Sequence, residues 1–275
     1  MDMLRTWIGK QSIDEDTLSA RHARLMAATI GLPQDRFVNG AALPPLWHWL
    51  YFLEGLPASE LGRDGHPARG GFLPPVPLAN RMWAGGRVDF HAPVALGASV
   101  RKRSTVTSVE HKQGRSGDLV FVTVRHEILD GDRVAIAEEH DIVYKQPTPP
   151  NATLVASASM PIPTHSESFE ATSTMLFRYS ALTFNGHRIH YDQDYCRDIE
   201  GYANLVVHGP LQATLLAGLA SRLGSRPLRH FRYRGMRPSL LGTPLTVNAA
   251  TSTDGLLLWT AQPDGSVSMQ AEAFF

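Results

Sequence analysis

Residues 205–223, LVVHGPLQATLLAGLASRL, carry an apolar strand that ends at a glycine and a helix that begins immediately after it. Pro210 suits the first helical position, where its missing N–H costs nothing and its fixed φ is already helical. An amphipathic helix is therefore predicted over Pro210–Leu223. Strand-like sequence follows. Phe231–Val247 (FRYRGMRPSLLGTPLTV) passes through a Gly-containing turn, and Leu256–Ala261 (LLLWTA) runs into Asp264-Gly265 and returns as Val267–Phe274. Asp-Gly between alternating segments signals a hairpin, because both residues tolerate positive φ.

The first half of the chain repeats this plan. A helix candidate at Leu46–Glu54 (LWHWLYFLE) follows Pro44 and Pro45, and Gly86–Val100 (GRVDFHAPVALGASV) again meets a Gly-containing turn. Leu119–Ile128 then runs into Asp130-Gly131 and returns as Val134–Tyr144. A helix followed by an antiparallel meander, twice over, indicates an α+β fold with internal duplication. Between the halves lies KQPTPPNATLVASASMPIPTHSES (145–168), whose Pro, Ser and Thr content marks a linker or surface loop. The expected division is a domain over 1–145, a linker over 146–168 and a domain over 169–275.

Composition excludes several classes of function. The 26 basic and 26 acidic residues cancel, which gives no electrostatic case for nucleic acid or an anionic membrane. The single cysteine, Cys196, rules out an intrachain disulfide framework and a Cys-based zinc site, the pattern expected of a reducing cytoplasm. The first residues have no signal-peptide core, and no apolar run approaches the roughly 18 residues that span a bilayer. A cytoplasmic, soluble protein is expected.

The chemistry concentrates in Phe177–Tyr195, FRYSALTFNGHRIHYDQDY, and in the helix start at His208-Gly209-Pro210. A helix N-terminus presents unpaired N–H groups and partial positive charge, suited to the oxyanion of an enolate or thioester intermediate. Gly209 lets a ligand approach that backbone closely. His190 supplies a group that exchanges protons near neutral pH, and the amide of Asn185 can hold a water. His187 and His190 at i and i+3, with no third ligand at recognisable spacing, give little support for a metal site. No G-x-S-x-G elbow is present for a serine nucleophile.

At these residues the sequence resembles the MaoC-like (R)-specific enoyl-CoA hydratases of the hotdog fold. Their signature, approximately Gly-Asp-x-Asn-Pro-Ile-His, is met here by Phe184-Asn185-Gly186-His187-Arg188-Ile189-His190: isoleucine and histidine match, aspartate, asparagine and proline do not. The resemblance to a double-hotdog branch of this family is longer. It includes RMWAGGRVDFHAPVALG (81–97), GRSGDLVFVTVRHEI (114–128), FRYSALTFNGHRIHYD (177–192) and LVVHGPLQATLL (205–216).

The resemblance implies two hotdogs, each an antiparallel sheet wrapped around a long helix, packed as a pseudo-dimer with one site per chain. Leu46–Glu54 would be the first helix and Pro210–Leu223 the second. The implied activity is hydration of an α,β-unsaturated, branched dicarboxylic acyl-CoA such as itaconyl-CoA or mesaconyl-C4-CoA to citramalyl-CoA. Asn185, standing where the family has aspartate, cannot take a proton, so the proton load falls on His190. In this scheme Asn185 orients the water, His190 acts as base and then as acid, and the Gly209 N–H binds the thioester oxygen. Arg188, His208 and Tyr179 are the expected substrate contacts. Arg188 suits a substrate carboxylate, and equally an ion pair with Asp192 or Asp194. No metal and no redox cofactor is expected, and a homodimer is left open. The competing readings are a 3-hydroxyacyl-thioester dehydratase, a thioesterase and a non-catalytic acyl-CoA-binding module.

Overall fold

The computed structural model describes residues 2–114, 117–146 and 159–275. Its helices are α1 (Asp2–Arg5), α2 (Ala20–Thr29), α3 (Ser173–Leu182), α4 (Gln193–Tyr195) and α5 (Gly209–Leu223). Helix α5 is the one read from Pro210–Leu223, with Pro210 in its first turn. Its Leu211, Ala213, Leu216, Ala217, Leu219 and Ala220 are fully buried. Each such leucine stabilises the fold by about 1.5–3 kcal/mol relative to exposure, and the alanines let strands close around the helix axis.

Among the described residues, ten strands form one antiparallel sheet. The first half supplies β1 (Gln11–Thr17), β2 (Asn80–Phe90), β3 (Ser99–Gly114), β4 (Gly117–Asp130) and β5 (Arg133–Lys145). The second supplies β6 (His165–Phe169), β7 (His230–Gly235), β8 (Leu245–Ser252), β9 (Gly255–Ala261) and β10 (Val267–Phe274). The order is β1-β3-β4-β5-β2-β7-β10-β9-β8-β6. Outward from the β2–β7 seam, each half runs second, fifth, fourth, third, first strand, so the duplication is visible as a mirrored strand order. Gly131 and Gly265 both take positive φ (62° and 80°), as the two Asp-Gly hairpins require. Strands β7 to β10 curl around α5.

The same symmetry pairs α2 with α3. Each follows the first strand of its half and is capped by a hydroxyl, Ser19 in one and Thr172 in the other. The two helices pack together, and His22 Nε2 bonds the Leu182 carbonyl at 2.8 Å. No expectation was attached to α2.

Two boundaries differ from the sequence reading. Leu46–Glu54 is not a long central helix: it holds only a 3₁₀ turn at Trp47–Leu50, bracketed by Leu46 and Phe52 at φ 68° and 59°. Its aromatic residues are poor helix formers, and tertiary partners take over. His48 and Trp49 both bond the buried Glu138 carboxylate. The linker is also shorter than 146–168, because β6 pairs with β8 from His165 onward. Its centre, 147–158, lies outside the described residues. Among the described residues no helix is long and apolar enough to cross a membrane.

The seam itself depends on small residues. A Cβ at Gly86 would run into the Tyr233 hydroxyl and the Glu139 carbonyl, both across β2's neighbours. Gly86→Ala should therefore destabilise by about 1–3 kcal/mol, as overpacking does, lowering the urea midpoint. A variant as stable as the parent would show that the seam tolerates separation.

Candidate active site

The site begins where α3 ends. Phe184 takes φ 48°, a left-handed turn that a bulky residue seldom adopts, and so reverses the chain. The Asn185 N–H donates to the Ser180 carbonyl (2.8 Å), and Asn185 Oδ1 accepts from the His187 N–H (2.9 Å). This Asx-type turn leads into the 3₁₀ turn Arg188–His190. His190 is 6% exposed, and its Nδ1 bonds the Val206 carbonyl at 2.8 Å. A carbonyl only accepts, so the proton sits on Nδ1 and the neutral ring's lone pair on Nε2.

Val206 belongs to the segment entering α5, so the same contact ties His190 to the helix start. The His190 ring lies on that of His208, with centroids 3.6 Å apart and planes 19° from parallel. His208 is fully buried, bonded through Nε2 to Ser180 Oγ (2.9 Å) and edged by Tyr179 at 4.8 Å. Next in the chain, the Gly209 N–H makes no backbone hydrogen bond among the described residues.

The first half completes the site. Its Gly62–His66 loop docks on the Asn185–His190 turn: the Arg188 N–H donates to the Asp64 carbonyl (2.9 Å), and the Arg188 guanidinium to that of Arg63 (3.1 Å). Gly65 at φ 84° sits so close to Gly186 that a Cβ would strike its carbonyl. The His66 ring lies 4.4 Å from that of His187, which lies 5.5 Å from His190. From β2, the Trp83 ring covers Gly209, where a Cβ would fall 2.8 Å from it. Trp83 stacks on Tyr233 at 4.7 Å and meets the edge of Trp49 at 5.8 Å. Behind them, Glu138 accepts from Trp49 (3.0 Å) and Tyr233 (3.1 Å) and pairs with His48 (2.9 Å). Burial works against its ionisation, but the His48 bond and charge outweigh it and hold the carboxyl at about 2.

Burial also governs the imidazoles. It lowers His190 to about 3, partly opposed by the Val206 carbonyl and helped by His187. His187 and His66 are lowered to about 3 by burial, by each other or by His190, and by the Arg81 charge. His208 is pushed well down by burial and by the charges His190 and His187 would carry. All are neutral bases at pH 7.

The expected site residues divide by position. Asn185, His190 and Gly209 gather around the helix start, and Asn185 commits its oxygen to the turn, leaving only its NH₂ group for a ligand. Tyr179 (1% exposed) and His208 (0%) are buried, with His208 stacked on His190 and edged by Tyr179. Arg188 bonds Asp192 through Nε (3.0 Å) and Nη2 (2.7 Å) and lies over the Tyr195 ring, so the ion-pair alternative is the one formed. His66 and Trp83 were not anticipated. Trp83 lay in plain view within RMWAGG, whereas nothing local marks His66. Among the described residues no cluster of His, Cys, Asp or Glu is arranged to hold a metal ion.

A doubled antiparallel sheet curled around one long helix, with a neutral histidine at that helix's start, defines a double-hotdog, MaoC-like hydro-lyase. Solved structures share the fold. A MaoC-like dehydratase from Phytophthora capsici superimposes with a TM-score of 0.74 at 14% identity, over 100% of this chain and 97% of that one. A Mycobacterium tuberculosis protein described as having a double hotdog fold aligns with a TM-score of 0.58 at 15% identity, covering 97% and 96%.

The chain belongs to the hydroxyacyl-thioester dehydratase type 2 family, whose model matches residues 46–241. It is 42% identical to the mesaconyl-C(4)-CoA hydratase of Chloroflexus aurantiacus, across 96% of this chain and 95% of that protein. It is 30% identical to the mitochondrial hydroxyacyl-thioester dehydratase type 2 of Schizosaccharomyces pombe, across 75% and 77%.

The buried histidines make stability depend on pH. In the unfolded chain they protonate near 6.5, but in the fold His66, His126, His187 and His190 do so only near 3. Between those values the unfolded state binds more protons, so stability is complete above about pH 6.5 and is lost as pH falls. Thermal unfolding midpoints should drop steadily from pH 7 to pH 4. A flat profile over that range would mean that these rings are solvated.

Proposed function

We propose that this protein adds water to the double bond of a branched dicarboxylic enoyl-CoA of the mesaconyl-C4-CoA type, itaconyl-CoA being the related alternative, to give citramalyl-CoA. The observation that carries the reading is the His190 Nδ1–Val206 bond, which leaves Nε2 as an acceptor beside the start of α5. The thioester oxygen sits at the Gly209 N–H. In the mesaconyl-C4 thioester, whose double bond is conjugated with the carbonyl, water attacks Cβ, and His190 Nε2 takes its proton as the C=C electron pair moves to Cα and onto the thioester oxygen. The enolate so formed is stabilised by the N–H and the helix dipole. The same Nε2 then returns the proton to Cα as the thioester carbonyl re-forms. Atoms balance as one added water.

Trp83 forms a wall over Gly209 that keeps bulk water from the enolate. Asn185 steadies the turn that aims His190 and offers its NH₂ group to the water oxygen. Run in reverse, the same groups dehydrate a 3-hydroxyacyl thioester, the activity named for the fungal relatives.

The test is the purified protein with mesaconyl-C4-, itaconyl- and crotonyl-CoA, following loss of enoyl absorbance and product mass. His190→Gln should lower kcat by about 10²–10⁴-fold, the usual contribution of an acid–base group, while thioester binding persists. Release of free CoA thiol without hydration would make the protein a thioesterase and overturn the reading.

A further inference from the structure

Arg81 and Tyr144 are left with unmet hydrogen-bonding capacity next to the site. Arg81 lies on β2 with its side chain 12% exposed, yet its nearest carboxylate, Asp64 Oδ2, stands 3.7 Å from Nη2. That is a loose ion pair for a guanidinium with five donors and little water. Neighbouring arginines are better satisfied. The Arg69 guanidinium donates to the carbonyls of Val76, Leu78 and Ala79, and Arg188 is taken by Asp192 and Arg63. Asp64 is itself held elsewhere, its Oδ1 accepting from the His66 N–H at 3.1 Å.

Tyr144 stands directly across from Arg81 in the β2–β5 register, so both side chains leave the same face of the sheet. It is fully buried, and its hydroxyl completes no hydrogen bond among the described residues, although the Arg81 guanidinium lies close enough to bear on it as a donor and as a charge. A buried hydroxyl without a partner is uncommon and calls for one.

The location fits one ligand. Trp83, two residues further along β2 on the same face and therefore about 7 Å away, covers Gly209. The Arg81 charge also bears on His187 and His66, and His187 adjoins His190. An anion held here would lie close to the His66 and His187 rings, the second of which adjoins His190.

We infer that Arg81 and Tyr144 form the seat for the substrate's second carboxylate, and so select dicarboxylic over monocarboxylic enoyl-CoA thioesters. The carboxylate accepts from the guanidinium and from the Tyr144 hydroxyl, satisfying both at once. Asp64 serves as a loose counter-charge when the seat is empty. Arg188, the arginine singled out in the sequence motif, is not free for this role. The inference rests on the hydratase reading above.

The experiment compares kcat/KM for mesaconyl-C4-CoA and crotonyl-CoA, which lacks the second carboxylate, in the parent, Arg81→Met, Arg81→Lys and Tyr144→Phe. The ratio favouring mesaconyl-C4-CoA should fall by about 10–100-fold in Arg81→Met, the range for a lost hydrogen bond to a charged group. It should fall less in Tyr144→Phe, and Arg81→Lys should recover part of the loss. Independently of any variant, the parent should bind succinyl-CoA more tightly than butyryl-CoA, as inhibitors of crotonyl-CoA hydration. Equal losses on both substrates, or equal inhibition by the two saturated thioesters, would overturn the carboxylate seat while leaving the hydratase reading in place. Failure of the parent to hydrate any of the enoyl thioesters would instead overturn both.

Discussion

The pairing of β2 with β7 is the constraint on which the site depends. It joins the two halves into one sheet, with Gly86 opposite Tyr233 and Val88 opposite Phe231. A register irregularity between Trp83 and Gly85 brings Trp83, and with it Arg81, onto the face that carries Gly86 and Val88, where Trp83 meets the start of a helix that belongs to the other half. Tyr233, on β7, is stacked on Trp83 and bonded to Glu138 of the first half. The turn that carries His190 and the groups that enclose it thus come from opposite halves.

The two halves have put buried histidine to different uses. His48 is bonded to a carboxylate, Glu138, which Trp49 and Tyr233 also satisfy, and this network locks the seam. His190 has a backbone carbonyl in the corresponding role of ring partner. A carbonyl fixes the tautomer and orientation without supplying the negative charge that would favour imidazolium. Asn185 in place of an acid has the same consequence, since its neutral amide adds no charge to the turn. The His190 ring is therefore kept neutral and stacked on a second neutral ring.

Sequence made much of this legible where the signal was local. Pro210 after His208-Gly209 marked α5, and Asp130-Gly131 and Asp264-Gly265 marked hairpins, because φ preferences are properties of single residues. The turn that carries His190 and the helix that opens at Gly209 were readable for the same reason, since a short polar run after a helix and a glycine before a proline are local features. Leu46–Glu54 misled because its apolar spacing is helical while its side chains take separate partners far away in the chain: His48 and Trp49 bond Glu138, Trp47 stacks on Phe37 and Tyr51 bonds the Ser19 carbonyl. His66, Trp83 and Arg81 reach the site only through the β2–β7 register and the Gly65–Gly186 contact, long-range facts with no local signature.

The central claim is that His190 is a neutral imidazole with its proton on Nδ1 and its lone pair on Nε2. Nitrogen-15 NMR of labelled histidine, with His190→Gln for assignment, reads both tautomer and titration. The account predicts an Nδ1–H signal for His190 that stays unchanged from pH 8 to about pH 5, below the ordinary histidine value of about 6.5. A resonance that titrates near 6.5, or one that carries its proton on Nε2 at neutral pH, would contradict it.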